Sequence, residues 1–510
     1  MTPALNLPQF VREPLERLWS SGHAAYAVGG AVRDILLGRE ATDWDVATDA
    51  RPEQLLHLFP GSHYQNRFGT VLVGELEITT FRRDHRYGDH RRPDEVTFTD
   101  DVKEDLLRRD FTVNAICWGR AGDGAGDGDG SGAAGTEVSA TGSRRPAEPG
   151  WLDPTGGRDD LRAGVLRAVG DPDTRFDEDS LRLLRAARLA AQLHFTIEPA
   201  TLAAMGRSAA LVSHVSAERV GQELRKMLAA RPPSAGFRIL AHTGLLEPLL
   251  PELAEQQGVP QNKALGGDLW AHTLATVDAA AGISPGDERL LLAALLHDVG
   301  KPTTWREHQT FHHHEDIGAE ITERWLARLA IARREASPIV ELVRHHMFGY
   351  KPDWSDAAVR RLMRRVGLES LPDLFRLRQA DNLGSGLDAD AGALDELRHR
   401  VAEEQSRGVP LSLAELAIGG RDLVDELGMR PGPRIGALLD RLLDSVIADP
   451  ARNTRRQLLL DARAWAHEMA ERSTEMDRPS AGRTEAGRDQ PGRTQGARDQ
   501  SDEVARSGGR

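Results

Sequence analysis

Asp43 and Asp45, separated only by Trp44, carry the spacing most suggestive of metal chemistry in this chain. Side chains two apart on a strand point to the same side, so two carboxylates stand together. Adjacent carboxylates repel unless a cation joins them. Mg²⁺, which prefers hard oxygen ligands, is the natural partner, and a pair of such ions can activate an attacking hydroxyl while stabilising a departing pyrophosphate. Glu77, on an expected strand from Glu75 to Phe81, is a candidate third carboxylate. Upstream, Val28-Gly29-Gly30-Ala31-Val32-Arg33-Asp34 reads as a strand, two glycines and a helix. Such glycines let backbone amides approach a triphosphate, and the helix N-terminus favours the anion. Each motif alone also fits a plain reading, an exposed acidic loop or an ordinary turn.

A second constellation begins at Leu292-Ala293-Ala294-Leu295-Leu296-His297-Asp298-Val299-Gly300-Lys301, an apolar helix delivering adjacent His and Asp before a glycine and a lysine. It resembles the HD phosphohydrolase superfamily. The resemblance implies companions in His272, His314, His346 and Asp381, which lie on separate helical segments and can converge on a divalent metal through imidazole nitrogens and carboxylate oxygens. Such a metal would activate water for phosphoester hydrolysis. His312, His313 and His345 compete for these places; Glu315 and Gly318 favour His314, because they follow it as in the family pattern.

Short strands and helices must position the first set. Ala25 to Val28, Asp45 to Ala47, Val71 to Val73 and Ile78 to Phe81 read as strands, with helices at Val32 to Leu37 and Pro52 to Leu58. This α/β unit ends near Trp118. Residues 120 to 150 are Gly, Asp, Ala and Ser with almost no large apolar side chain, a composition expected of a disordered surface insertion. From Leu161 the strand signals vanish and apolar residues recur at helical spacing, as in Leu181, Leu184, Ala187 and Leu189, so the remainder is expected to be all-helical. Pro232 with Pro233 and the stretch Gly258 to Gly267 mark breaks, with a further helical module starting near Asp268. Beyond Asp477 the Gly, Arg, Thr, Asp and Gln pattern has no core-forming period and reads as a disordered tail.

A chain of 510 residues favours several domains. Its apolar share of 40% is adequate for packed cores, and no apolar run approaches the roughly 20 residues of a membrane span. Met1 to Phe10 lack the basic start and apolar middle of a secretory signal, and Cys117 is the only cysteine, so a cytoplasmic location is expected. The net charge of −13 argues against wholesale nucleic-acid binding, yet Arg82, Arg83, Arg86, Arg91 and Arg92, and again Arg175, Arg182, Arg185 and Arg188, form local basic clusters that suit a polyanion.

Further motifs follow in order: Arg108-Arg109-Asp110-Phe111-Thr112-Val113-Asn114-Ala115, Asp153-Pro154-Thr155-Gly156-Gly157 with Asp159, Asp160 and Leu161, Glu178-Asp179-Ser180-Leu181-Arg182-Leu183-Leu184-Arg185, and Ser216-Ala217-Glu218-Arg219 leading to Glu223-Leu224. With Gly29, Gly30, Arg33, Asp43 and Asp45, this series resembles the class II CCA tRNA nucleotidyltransferases and bacterial poly(A) polymerases, a branch of the polymerase-β-like superfamily. The resemblance implies an α/β nucleotidyltransferase head with a mixed sheet, followed by an all-α neck and body that includes the HD domain. The expected boundaries are a head at 1–119, the insertion at 120–150, a helical neck and RNA-binding region at 151–257, an HD domain at 268–400, a helical C-terminal region at 401–476 and the tail at 477–510. It further implies that Asp43 and Asp45 hold Mg²⁺, that Gly29, Gly30, Arg33, Arg109 and Asp110 contact the nucleotide, with Asp110 at the ribose and Asn114 structural, and that Arg185 and Arg188 make phosphate or nucleotide contacts. Asp179 and Arg182, at i and i+3 on an expected helix, share a face and can offer an acceptor and a donor to one base edge. The implied reaction adds C, C and A to tRNA from CTP and ATP without a template. The stretch Phe81 to Pro93 looks like the full flexible loop of enzymes that add the terminal A, which leaves A addition or poly(A) synthesis as alternatives, and a hydrolytic HD protein with a degenerate head as another.

Overall fold

The computed structural model describes residues 5–66, 68–85, 95–122, 148–261 and 266–476. Arg86, Arg91 and Arg92, most of the 120–150 insertion and the 477–510 tail lie outside the described residues. The chain divides into two compact units after Gly408.

In the head, helix α1 (Gln9–Ser20) leads to strand β1 (Ala25–Val28), helix α2 (Gly30–Leu36), β2 (Asp45–Thr48), α3 (Pro52–Leu58), β3 (His63–Asn66), β4 (Thr70–Val73) and β5 (Leu76–Thr80). A separate hairpin, β6 (Arg82–His85) with β7 (Glu95–Phe98), precedes α4 (Val102–Leu107), β8 (Cys117–Arg120) and β9 (Gly150–Leu152). The seven-stranded sheet runs β3-β4-β5-β2-β1-β8-β9. Only β2 and β5 pair in parallel within it, so the sheet is mixed as expected. All four residues of β1 are buried, the mark of a central strand covered on both faces. Strand β5 instead alternates, turning Leu76, Ile78 and Thr80 inward and Glu77 and Thr79 outward. Cys117 packs with Tyr26, Val28, Ala47 and Phe81 as a small apolar side chain. The head sheet reaches further than the expected end near Trp118, because β9 returns to pair with β8.

The neck comprises α5 (Gly157–Ala163), β10 (Val165–Leu166), α6 (Pro172–Glu178), α7 (Leu181–Leu193), β11 (Thr196–Ile197), α8 (Pro199–Arg207), α9 (Ala217–Leu228), α10 (Ser234–His242), α11 (Leu246–Leu249) and α12 (Pro251–Ala254). The parallel pair β10–β11 corrects the all-helical expectation. Two-residue strands are too short to leave an alternating signal, and these two bracket the long buried helix α7, whose period dominates the sequence there.

Asp268 caps the next helix by accepting the Ala271 amide at 2.9 Å. From it run α13 (Leu269–Ile283), α14 (Glu288–Leu296), α15 (Lys301–His308), α16 (His314–Arg328), α17 (Arg333–His345), α18 (Asp356–Val366), α19 (Leu371–Gly384) and α20 (Leu394–Ser406). Helix α13 lies along α19, and α16 along α17. A Cβ on Gly300 would stand 2.2 Å from the His314 carbonyl oxygen, so only glycine lets α16 approach the end of α14 this closely. The second unit contains α21 (Gly420–Leu427), α22 (Pro433–Ala448) and α23 (Arg455–Met476) around Leu438, Leu442, Val446 and Leu458.

Candidate active sites

The turn from β1 to α2 is set by Gly29 at φ +86°, a conformation L side chains rarely adopt. A Cβ here would lie 3.0 Å from Asp45 Oδ2 and 3.4 Å from a terminal nitrogen of Arg109, so the turn, the carboxylate and the guanidinium meet at one point. Asp45 opens β2 with Glu77 opposite it on β5. Asp43 precedes the strand, which begins at Asp45 as expected, and is exposed. Buried Trp44 between them preserves the alternation. Burial pushes the Asp45 carboxyl up to about 6; the Arg109 charge opposes the rise, and those of Asp43 and Glu77 add to it. This concentration of oxygen donors and negative charge fits a hard divalent cation.

A chain of hydrogen bonds connects head and neck. Arg33 holds Asp34 through Nε and a terminal nitrogen, both at 2.9 Å, and donates to Asn114 Oδ1 at 2.7 Å. Asn114 in turn donates to Asp110 Oδ1 at 3.0 Å, and Arg185 on α7 grips Asp110 Oδ2 at 2.8 and 2.6 Å. Burial would raise the Asp110 carboxyl, but the Arg185 guanidinium and the Asn114 amide hold it well below the usual carboxylate range. Arg109 leans on Asp105 at 3.4 Å, while its buried Nε has no hydrogen-bond partner among the described residues. A buried donor without an acceptor is costly, and a bound anion would relieve it.

The Asp179–Arg182 expectation needs correction. Asp179 is not on a helix with Arg182 but in extended backbone, φ −142° and ψ 103°, between α6 and α7. Its carboxylate pairs with Arg219 at 2.9 Å. Arg182 faces the other way, donating to Glu178 at 2.6 Å and to the Arg175 and Arg108 carbonyls, both at 2.9 Å. The i, i+3 rule failed because a helix boundary falls between the two residues. Arg188 binds Glu223 on α9 at 2.6 Å and Gln192 at 2.9 Å, so it braces α7 against α9 in this structure. Arg219 and Glu223 sit in motifs the sequence displays, but their pairing across 35 to 40 residues has no local signal.

The histidine set converges. His272 Nε2 lies 3.2 Å from His297 Nε2 and 3.2 Å from Asp381 Oδ1. His314 Nε2 lies 3.2 Å from His346 Nε2. Asp298 stands between the pairs: Oδ2 is 3.1 Å from His297 and 3.4 Å from His272, and Oδ1 is 3.2 Å from His314 and 3.5 Å from His346. Each Nδ1 faces a backbone carbonyl, of Gly384, Ala294, Phe311 and Val343 respectively, at 2.6 to 3.2 Å. Donation there turns each Nε2 lone pair inward. Facing lone pairs at 3.2 Å repel, and a metal ion between them removes the repulsion. Burial lowers His346 to about 4, which keeps it neutral as a ligand must be. His272, His297 and Asp381 form one trio and Asp298, His314 and His346 another. His345 instead pairs with Glu341 at 3.3 Å, and His313 belongs to an exposed group with Glu315 and Asp316. Sequence reasoning missed Lys301, whose Nζ donates to Asp298 Oδ2 at 2.7 Å, although it stands in the quoted run.

Residues 25–127 match the family described as Poly A polymerase head domain, residues 194–257 the probable RNA and SrmB-binding site of polymerase A, and residues 269–384 the HD domain. The CCA-adding enzyme of Levilactobacillus brevis is 31% identical over 456 residues, covering 88% of this chain and 96% of that protein. That of Geobacillus thermodenitrificans is 30% identical over 480 residues, covering 89% and 95%. Among solved structures, the Bacillus stearothermophilus CCA-adding enzyme in complex with CTP superposes with a TM-score of 0.61 at 25% identity, over 92% of this chain and 100% of that one. The Thermotoga maritima CCA-adding enzyme, solved with tRNA, shares the fold at a TM-score of 0.50 and 18% identity, over 90% and 96%. No helix among the described residues is long and apolar enough to cross a membrane. Ordered motifs, a mixed-sheet head joined to a helical neck, and relatives matched along nearly their whole length agree that the chain belongs to the family of CCA-adding enzymes.

Proposed function

We propose that this protein completes the 3′ end of tRNA in the cytoplasm, adding C, C and A from CTP and ATP without a nucleic-acid template. The observation that carries the proposal is the meeting of Gly29, Asp45 and Arg109 at the β1–α2 turn, in a chain of this family. The tRNA 3′ hydroxyl attacks the α-phosphate and pyrophosphate leaves. Asp43 and Asp45 would hold Mg²⁺, which when bound lowers the pKa of the attacking hydroxyl and neutralises charge on the departing pyrophosphate. Gly29 and Gly30 present backbone to the triphosphate, with Arg33 and the unsatisfied Nε of Arg109 as donors. Asp110, fixed by Arg185 and Asn114, accepts from a ribose hydroxyl. Asp179 and Arg182 read the base after releasing Arg219 and Glu178; Arg188 keeps α7 against α9 while they do so. Incubation with tRNA lacking CCA, CTP, ATP and Mg²⁺, followed by sequencing of the product ends, tests the proposal. Absence of any extension by intact protein would overturn it, and A-only or open-ended products would assign it to the A-adding or poly(A) alternative.

The six convergent residues of the histidine cluster support a second activity in the same chain, metal-dependent phosphoester hydrolysis. His272, His297 and Asp381 would hold one divalent ion, and His314, His346 and Asp298 another, with Asp298 between them. Such ions supply a nucleophilic hydroxide at neutral pH. Lys301 donates to Asp298 Oδ2, the oxygen that also faces His272 and His297.

A further inference from the structure

Helix α9 works with two opposite faces. Arg219 and Glu223, four residues apart, stand one above the other. Arg219 holds Asp179 at 2.9 Å, and Glu223 holds Arg188 of α7 at 2.6 Å. The Lys226 carbonyl also accepts Gln192 of α7, at 2.7 Å. Gly221 and Arg225, again four apart, are turned about 200° from the first of these pairs. They meet the HD domain. A Cβ on Gly221 would stand 2.8 Å from the carbonyl oxygen of Leu329, the residue that ends α16. The obstacle is backbone and cannot swing aside, so α9 lies this close only because residue 221 is glycine. Arg225 pairs with Glu288, which opens α14, and with Glu335 in the first turn of α17, each at 2.8 Å.

Three helices of the HD domain therefore converge on α9, and each does so at the end remote from the histidine cluster. His297 follows α14, His314 opens α16 and His346 follows α17. Metal ligation makes no use of these contacts. The other face of α9 leads toward the nucleotide, because Arg182, Arg185 and Arg188 recur every three residues along α7. Arg185 grips Asp110, and Arg188 is the brace to α9. A shift of α9 thus carries α7 with it through Glu223 and Arg188. Hydrogen bonds weaken steeply as their geometry degrades, so a small displacement of α7 affects base choice before it affects the fold.

We propose that the HD domain is the abutment for base selection: Gly221 and Arg225 are positioning residues that seat α9 against it, and α9 in turn seats α7. The proposal rests on the reading of Asp179 and Arg182 as the base-selecting residues. It gives the HD domain a part in nucleotide addition that needs neither its histidines nor any hydrolysis.

Extension of tRNA lacking CCA with single nucleotides tests this, read as the ratio of kcat/KM for CTP to that for UTP. The ratio does not depend on how much of a preparation is folded, so instability alone leaves it in place. Gly221→Ala should lower it about threefold and Gly221→Val at least tenfold, since misplacement on the ångström scale is enough to disturb a reacting geometry. Arg225→Glu, which sets three carboxylates together, should lower it about as far as Gly221→Ala, and the triple variant Arg225→Glu, Glu288→Arg, Glu335→Arg should restore it. Glu252→Ala cuts a different contact between neck and HD domain, the pair with Arg328, and should leave the ratio unchanged. An unchanged ratio in Gly221→Val and Arg225→Glu, with Asp179→Ala lowering it, would overturn the proposal, as would an equal fall in Glu252→Ala. An unchanged ratio in Asp179→Ala would instead refute the base-reading assignment, and the proposal with it.

Discussion

Arg185 reaches across 75 residues of sequence to place two hydrogen bonds, of 2.8 and 2.6 Å, on one oxygen of Asp110. The other oxygen already accepts the Phe111 amide at 2.8 Å and Asn114 at 3.0 Å. Head and neck are thereby joined at the residue proposed to hold the ribose. Asp110→Ala would leave the Arg185 guanidinium facing a void. Removing one partner of a buried pair costs about 3 to 5 kcal/mol; because the Arg185 side chain is 33% exposed, a loss of about 2 kcal/mol is expected. Urea unfolding would measure it, with nucleotide addition falling by about a hundredfold or more. A variant of unchanged stability and activity would refute the linking role.

Asp45 illustrates a site that opposes its own fold. Its carboxyl titrates near 6 in the metal-free protein, chiefly through burial, against roughly 4 in an unfolded chain. Between these values the folded protein holds a proton that the unfolded chain has released. Its contribution to stability therefore falls as pH rises from about 4 through 6. Asp45→Asn should raise the stability of metal-free protein at pH 7, by up to about 3 kcal/mol, while abolishing addition. Mg²⁺ should raise the Tm of the unsubstituted protein and not that of the variant, with the Mg²⁺ effect weakening below about pH 6. Thermal unfolding across pH, with and without Mg²⁺, is the measurement; an Asn variant less stable than its parent at pH 7 would contradict the assignment.

The extent to which these sites were legible follows from the range of the interactions. Strand β1 and helix α3 fell on the residues read from sequence because a run of buried apolar residues, or a proline at a helix start, is a local signal. The convergence of the histidine cluster was legible because the HD run fixes two of its members and the family order supplies the rest. Partnerships were not. Nothing near Asp179 announces that it ends a helix and pairs with Arg219, and nothing near Arg378 announces that it donates to the Phe348 carbonyl 30 residues away. Both depend on which helices pack together, and one sequence records that only as apolar periodicity.

The Asp179–Arg219 pair makes a prediction about fidelity. If Asp179 reads the base edge, losing its carboxylate removes hydrogen-bond discrimination of about 1 to 3 kcal/mol per base pair of contacts. Asp179→Ala should therefore incorporate UTP or GTP at least tenfold more often relative to CTP and ATP. Arg219→Ala should retain base choice without loss of kcat, because it frees Asp179 without removing it. Primer extension with single nucleotides, followed by end sequencing, separates the two. Equal loss of selectivity in both variants would make the pair a single structural unit rather than a reader and its holder.

The cluster around Asp298 predicts a metal count. Because its two oxygens face different histidine pairs, Asp298→Ala should lower the occupancy of both trios, whereas His346→Ala should spare the ion held by His272, His297 and Asp381. Elemental analysis after equilibration with Mn²⁺ should find two ions per chain at the cluster in the parent, counted against an Asp43→Ala, Asp45→Ala background that empties the head. It should find about one in His346→Ala and close to none in Asp298→Ala. The parent's head should still extend tRNA when these cluster substitutions are introduced, since the head's Gly29, Asp45 and Arg109 lie on other elements. A single ion whose binding needs all six residues would mean one shared centre, and loss of tRNA extension in folded His346→Ala protein would mean that the cluster serves the head rather than a reaction of its own.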